Sequence, residues 1–175
     1  MKKNLIAAAV AAVTVLSAAS AFAADGTVNF TGEIIDTACT IDIGANNTMT
    51  VDLGHVARTS FTGVGSTATA TKFVLKAKDC PATVSSATVK FDGVGYVGDD
   101  SVLSLTPEAG VATGVAVQLS DASMAQVPLF TASTAYPLQT SIENDLTFYA
   151  RYIQMASVVT AGPANSVATF TLNYQ

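Results

Sequence analysis

Apolar residues recur at every second position in six places along the chain, the pattern of a strand with one buried face. Met49, Val51 and Leu53 alternate with Thr50 and Asp52. Phe73, Leu75 and Ala77 alternate with Val74, Lys76 and Lys78, and Pro81 after Cys80 closes that run. Ala87, Val89 and Phe91 stand against Ser86, Thr88, Lys90 and Asp92, and Val115, Val117 and Leu119 against Gln118 and Ser120. Leu146, Phe148, Ala150 and Tyr152 oppose Thr147, Tyr149 and Arg151; Ala168, Phe170, Leu172 and Tyr174 oppose Thr169, Thr171 and Asn173. Between these runs, residues 44–48, 60–71, 92–101, 107–114 and 161–166 carry the Gly, Pro, Asn and Asp that chain reversal needs. The pattern predicts an all-β, antiparallel, immunoglobulin-like sandwich. The absence of a Trp to pack on a bridge argues against an antibody-type domain.

The start of the chain follows another rule. Lys2 and Lys3 precede an apolar run from Leu5 to Leu16, interrupted only by Thr14, and Ala21-Phe22-Ala23 has the small-x-small form of a cleavage site. A membrane-spanning helix needs about 20 apolar residues, more than this run offers. Residues 1–23 therefore read as a signal peptide, and the mature chain begins at Ala24. The remaining 152 residues make one domain with a real core. Export also gives Cys39 and Cys80, the only two cysteines, a meaning: in an oxidising compartment they are expected to pair. Closing a loop of this size stabilises a fold by roughly 3–4.5 kcal/mol in the chain-entropy model. Their separation excludes C-x-x-C redox chemistry, and two thiols with one His build no zinc site.

Only 12% of residues are charged and 50% are hydrophobic, which excludes a disordered chain. Losing Lys2 and Lys3 with the leader takes the formal charge from −5 to −7 and leaves six basic residues. Such a chain does not track a phosphate backbone, so nucleic acid is excluded as a partner. Catalytic chemistry is equally sparse. His55 is the sole histidine. Asp99-Asp100 lacks the ligand spacing of a calcium loop, and Gly93-Val94-Gly95 lacks the βαβ context of a nucleotide loop. No carboxylate pair stands out for glycoside hydrolysis. The expectation is a protein that is not an enzyme and takes neither cofactor nor metal.

The two ends of the mature chain are more informative. Residues 24–36 read ADGTVNFTGEIID, with Val28, Phe30, Gly32 and Ile34 on one face and Thr27, Asn29, Thr31 and Glu33 on the other. Taken alone, this is either the first strand of its own sheet or a strand offered elsewhere. At the other end, VATFTLNYQ closes on a penultimate Tyr174, and Gly162 stands fourteenth from the last residue. Leu146-Thr147-Phe148-Tyr149-Ala150-Arg151-Tyr152 lies upstream of it. Gly32-Glu33-Ile34-Ile35 precedes Cys39-Thr40-Ile41, followed by Val51-Asp52-Leu53-Gly54 and Asp79-Cys80-Pro81.

In order and spacing these motifs resemble the subunits of chaperone–usher fimbriae, most of all the major pilins of type 1 fimbriae, and the resemblance covers the whole mature chain. It implies a sandwich that lacks its final strand and is completed by a donor strand from another subunit. On this sequence, residues 24–36 would be the donor extension and 37–175 the pilin domain. Val28, Phe30, Gly32 and Ile34 would be the inserted face. Gly162, Phe170, Leu172 and Tyr174 would belong to the acceptor groove and its carboxy-terminal motif. The implied partners are neighbouring pilin subunits in a homopolymer, a periplasmic chaperone and an outer-membrane usher. The implied destination is the cell-surface fimbria, where the chain is a structural subunit supporting adhesion. Two alternatives stand beside it: a minor adaptor or tip-proximal pilin, and a secreted carbohydrate-binding module acting alone.

Overall fold

The structure, a computed structural model, describes residues 26–32, 34 and 38–175. The signal peptide and Ala24 and Asp25 at the head of the extension lie outside the described residues. The chain divides into two units at residue 34, and each is considered by itself. In the first, none of the described residues belongs to a strand. Val28, Phe30 and Ile34 are 74%, 92% and 97% exposed.

Among its described residues the second unit holds nine strands: β1 (Thr40–Asp42), β2 (Thr71–Lys78), β3 (Ser86–Gly93), β4 (Gly95–Tyr96), β5 (Asp99–Leu103), β6 (Val115–Asp121), β7 (Tyr136–Pro137), β8 (Asn144–Gln154) and β9 (Ala168–Tyr174). They form a six-stranded sheet, β1-β2-β8-β6-β5-β4, and a three-stranded one, β7-β3-β9. Every pairing between them is antiparallel. Five of the six alternating runs are thus strands. Their apolar faces meet: Phe91 of β3 packs edge-on against Phe148 of β8 with ring centroids 5.0 Å apart, and Phe73 of β2 stacks on Phe148 at 5.8 Å. Cys39 and Cys80 form the expected disulfide, tying the chain just before β1 to the end of β2.

Three departures from the sequence pattern have physical causes. Met49–Leu53, predicted as a strand, has no ladder partner among the described residues, although burial alternates along it as it would in a strand. An Asx turn ends the run, with the Gly54 N–H donating to Asp52 Oδ1 at 2.8 Å and Gly54 at φ 68°. Residues 92–101, predicted as turn, instead hold β4 and the start of β5. Their tight reversal places Val97 and Gly98 at φ 49° and 82°, a conformation that disfavours a β-branched residue and so hid the hairpin. β6 is buried along its full length, not on one face only, and its Gln118 is held by the Arg151 Nε–H at 2.8 Å.

At the end of β6, Asp121 is 2% exposed. Its Oδ1 accepts from the N–H groups of Ser123 and Ala125 and from Ser123 Oγ, and its Oδ2 accepts from Thr134 Oγ1 at 3.0 Å. Burial pushes this carboxyl up, but the hydrogen bonds outweigh it and hold the group below the usual carboxylate value.

Candidate functional site

The strands at one side of the sandwich leave an edge without a partner. β9 pairs with β3 alone among the described strands. Ser86 and Gln175 exchange both backbone hydrogen bonds, at 3.1 and 2.8 Å. In an antiparallel ladder such pairs alternate with pairs that exchange none. The register therefore sends the N–H and C=O groups of Thr169, Thr171 and Asn173 toward β3, and those of Ala168, Phe170, Leu172 and Tyr174 away from it. The same alternation shows on β3, where Val89 O and Phe91 O turn away from β9 and accept from Ser133 and Phe130. Four residues of β9 thus present to one side donors and acceptors that no described backbone group meets.

Beside that edge lies a cleft of 1390 Å³. Its floor consists of core side chains, among them Leu75, Phe91, Leu103, Val117 and Leu119. One wall is the unpaired run Met49–Leu53 with Ile41 and Ile43; the other is the arm from Val159 through Ala164 to Phe170. The Tyr152 hydroxyl donates to Ala164 O at 2.9 Å, fastening that arm to β8. Burial pushes the Tyr152 phenol up, and the Asp52 carboxylate on the opposite wall adds to the shift.

The predicted site residues take distinct places. Phe170 and Gly162 line the cleft; Leu172 and Tyr174 continue the same face of β9 and pack half-buried against the core. Their incomplete burial is what a core face shows when nothing lies across it. Gly162 is required by close approach: a Cβ there would sit 2.7 Å from Ala112 N and 2.9 Å from Val111 C, with Gly110 O nearer still. At Gly32, by contrast, a Cβ would meet nothing within 4 Å, and no left-handed φ demands glycine. Sequence reasoning missed Ile43, Val159 and Ala164, which stand in irregular segments where no periodicity marks the inward face.

Among the described residues no three His, Cys, Asp or Glu side chains gather to hold a metal, and His55 is an exposed rim residue. An apolar-floored cleft beside an open strand edge suits an extended segment that places alternate side chains inward and pairs along its backbone. That is the architecture of a β-protein whose sheet accepts one more strand.

The comparisons with known proteins agree. The family model described as fimbrial protein matches residues 28–175, and the chain belongs to that family. It is 34% identical to the long polar fimbria protein A of Salmonella typhimurium over 100% of this chain and 98% of that one. It is 36% identical to the type-1 fimbrial protein A chain of Escherichia coli K12 over 100% of both. The crystal structure of an antigen and type I fimbria protein of Burkholderia pseudomallei superposes with a TM-score of 0.60 at 38% identity, covering 85% of this chain and 97% of that one. The protein is a fimbrial subunit with a structural role and is not an enzyme.

Proposed function

We propose that this subunit polymerises by donor-strand exchange, the extension of one copy filling the cleft of the next. The observation that carries the reading is the match between edge and extension. β9 turns four residues outward, Ala168, Phe170, Leu172 and Tyr174, and the extension has four positions on one face, Val28, Phe30, Gly32 and Ile34. Both rows span six residue steps, about 20 Å at the rise of a strand. Val28, Phe30 and Ile34 stand exposed in their own chain, a state that costs apolar hydration and disappears on insertion. Gly32 has open space around it at home, so its lack of a side chain serves the cleft it enters.

An unfilled cleft and an open edge are aggregation hazards. The resemblance to chaperone–usher subunits supplies the remedy: a periplasmic chaperone lends a strand until the usher brings the next subunit. Residues 1–23 direct export, 24–36 are the donor segment and 37–175 the pilin body, assembled into a surface homopolymer.

Two constructions test this. A copy of residues 24–36 joined after Gln175 completes the sandwich in cis at high effective concentration and yields a stable monomer; an unjoined chain that is equally stable and monomeric refutes the reading. Gly32→Leu leaves the chaperone-bound subunit intact but abolishes surface fibres, since overpacking a fitted interior costs about 1–3 kcal/mol in a competitive exchange. Normal fibres from this variant refute the donor role.

A further inference from the structure

The outer face of the larger sheet, turned away from the cleft, gathers charge of one sign. Phe148 and Ala150 of β8 are buried in the core, so the alternation of a strand points Tyr149 and Arg151 outward. Lys72 stands outward on β2 beside Phe73, and Gln118 and Ser120 on β6 beside Val117 and Leu119. Tyr149 lies directly opposite Lys72 on one side and Ser120 on the other. Arg151 lies opposite Gln118, whose Oε1 accepts from its Nε–H at 2.8 Å. Lys72 and Arg151 are thus diagonal neighbours, about 7–8 Å apart, on either side of the tyrosine. The mature chain has six basic residues against thirteen acidic ones. Among the described residues Lys76, Lys78 and Lys90 are held in ion pairs with Glu143, Asp42 and Asp92, and Arg58 stands beside the cleft. The two that remain, Lys72 and Arg151, are in no such pair and meet on this face. The one carboxylate that β2 and β8 place on it, Asp145, sits opposite Lys76, about 13 Å along the strand from Tyr149.

We propose that this face binds a hexuronate residue of an acidic polysaccharide. With Nε committed to Gln118, Arg151 keeps its two NH2 groups side by side, an edge that holds a carboxylate through two hydrogen bonds. Lys72 supplies the second cation and pairs with the same anion or with ring hydroxyls. The Tyr149 ring between them is a flat apolar surface with a polar tip, suited to the C–H face of a pyranose. Size separates a sugar acid from a protein partner. A stable protein interface needs about 800 Å² on each side with an apolar centre, whereas this site is one ring between two cations. Repetition supplies the strength: a fimbria carries the site in every copy and a polyuronate repeats its carboxylate, so weak single contacts add by avidity. Lys72, Tyr149 and Arg151 do not line the cleft, so the proposal stands or falls apart from the donor-strand reading.

The test titrates purified fimbriae with a hyaluronan oligosaccharide, which alternates glucuronate with a neutral sugar. The fibres bind it, more weakly as salt rises, and do not bind its carboxyl methyl ester. Arg151→Gln weakens binding at least tenfold. Tyr149→Thr also weakens it but leaves the salt dependence in place, because both cations remain. Lys90→Gln removes the same charge from the smaller sheet and binds as the parent does. Arg151→Lys serves where glutamine impairs assembly: it keeps the charge, loses the paired NH2 edge and still binds more weakly than the parent. Parent fibres that bind no oligosaccharide overturn the proposal, as do equal binding of the methyl ester and equal loss from Lys90→Gln. Undiminished binding by the Arg151 variants overturns it too. Fibres whose durability falls with Arg151→Gln while sugar binding does not would assign the face to another copy of the chain, and competition by polyglutamate as strong as that by the sugar would assign it to acidic protein; either result refutes the sugar.

Discussion

Gly162→Ala isolates how tightly the arm beside the cleft is held. The new Cβ would fall 2.7 Å from Ala112 N and 2.9 Å from Val111 C. These are backbone atoms that cannot rotate away. The two segments are also clamped together: the Ala112 N–H donates to Pro163 O at 2.9 Å, and the Thr113 N–H to Thr160 Oγ1 at 2.9 Å. Relief therefore requires the arm to lift and loosen these bonds. Overpacking contributes about 1–3 kcal/mol, and a weakened hydrogen bond about 1 kcal/mol more. For a domain of this size each kcal/mol lowers Tm by about 2–4 °C, so the expected fall is about 5–15 °C. The assay is thermal unfolding of the cis-completed monomer followed by circular dichroism. Gly32→Ala in the free extension of the same chain is the control, with open space around the position and no change expected. A Gly162→Ala variant melting within about 2 °C of its parent would show that the arm yields freely, and the close-approach argument would be wrong.

Replacing both Cys39 and Cys80 by serine removes the bridge and is expected to destabilise the completed monomer by about 3–4.5 kcal/mol, read from denaturant midpoints; the unaltered protein should show no free thiol by mass spectrometry. Asp121→Ala leaves the N–H groups of Ser123 and Ala125 without their buried acceptor and should cost about 2–4 kcal/mol at neutral pH. Because the folded state holds the Asp121 carboxyl below its usual value, its stabilisation is fully present above the unfolded pKa of about 4. It is lost as pH falls through the lower folded value. The gap between parent and variant in unfolding experiments should therefore close in acid, and a gap independent of pH would rule out the ionised carboxylate as its source.

Periodicity alone determined much of this protein. β2, β3, β6, β8 and β9 were legible because each puts apolar side chains on one face and polar ones on the other, and a period of two admits no other regular element. The disulfide followed from export and a count of two cysteines. Phe170, Leu172 and Tyr174 could be assigned to one face from sequence alone, as could Val28, Phe30, Gly32 and Ile34. What sequence could not state is whether a strand has a neighbour. Met49–Leu53 alternates as well as any run in the chain, yet pairs with no strand among the described residues, because a ladder is a property of two segments and the pattern is a property of one. The outward turn of β9 depends likewise on the register set by Ser86 and Gln175. The short β1, β4 and β7 hold too few residues to show a period, and β4 is joined to β5 through a valine in a conformation valine avoids. The reason for Gly162 lies about fifty residues away in the backbone of Gly110 to Ala112. Local chemistry decides which face of a segment is apolar; only the assembled sheets decide which of those faces is left uncovered.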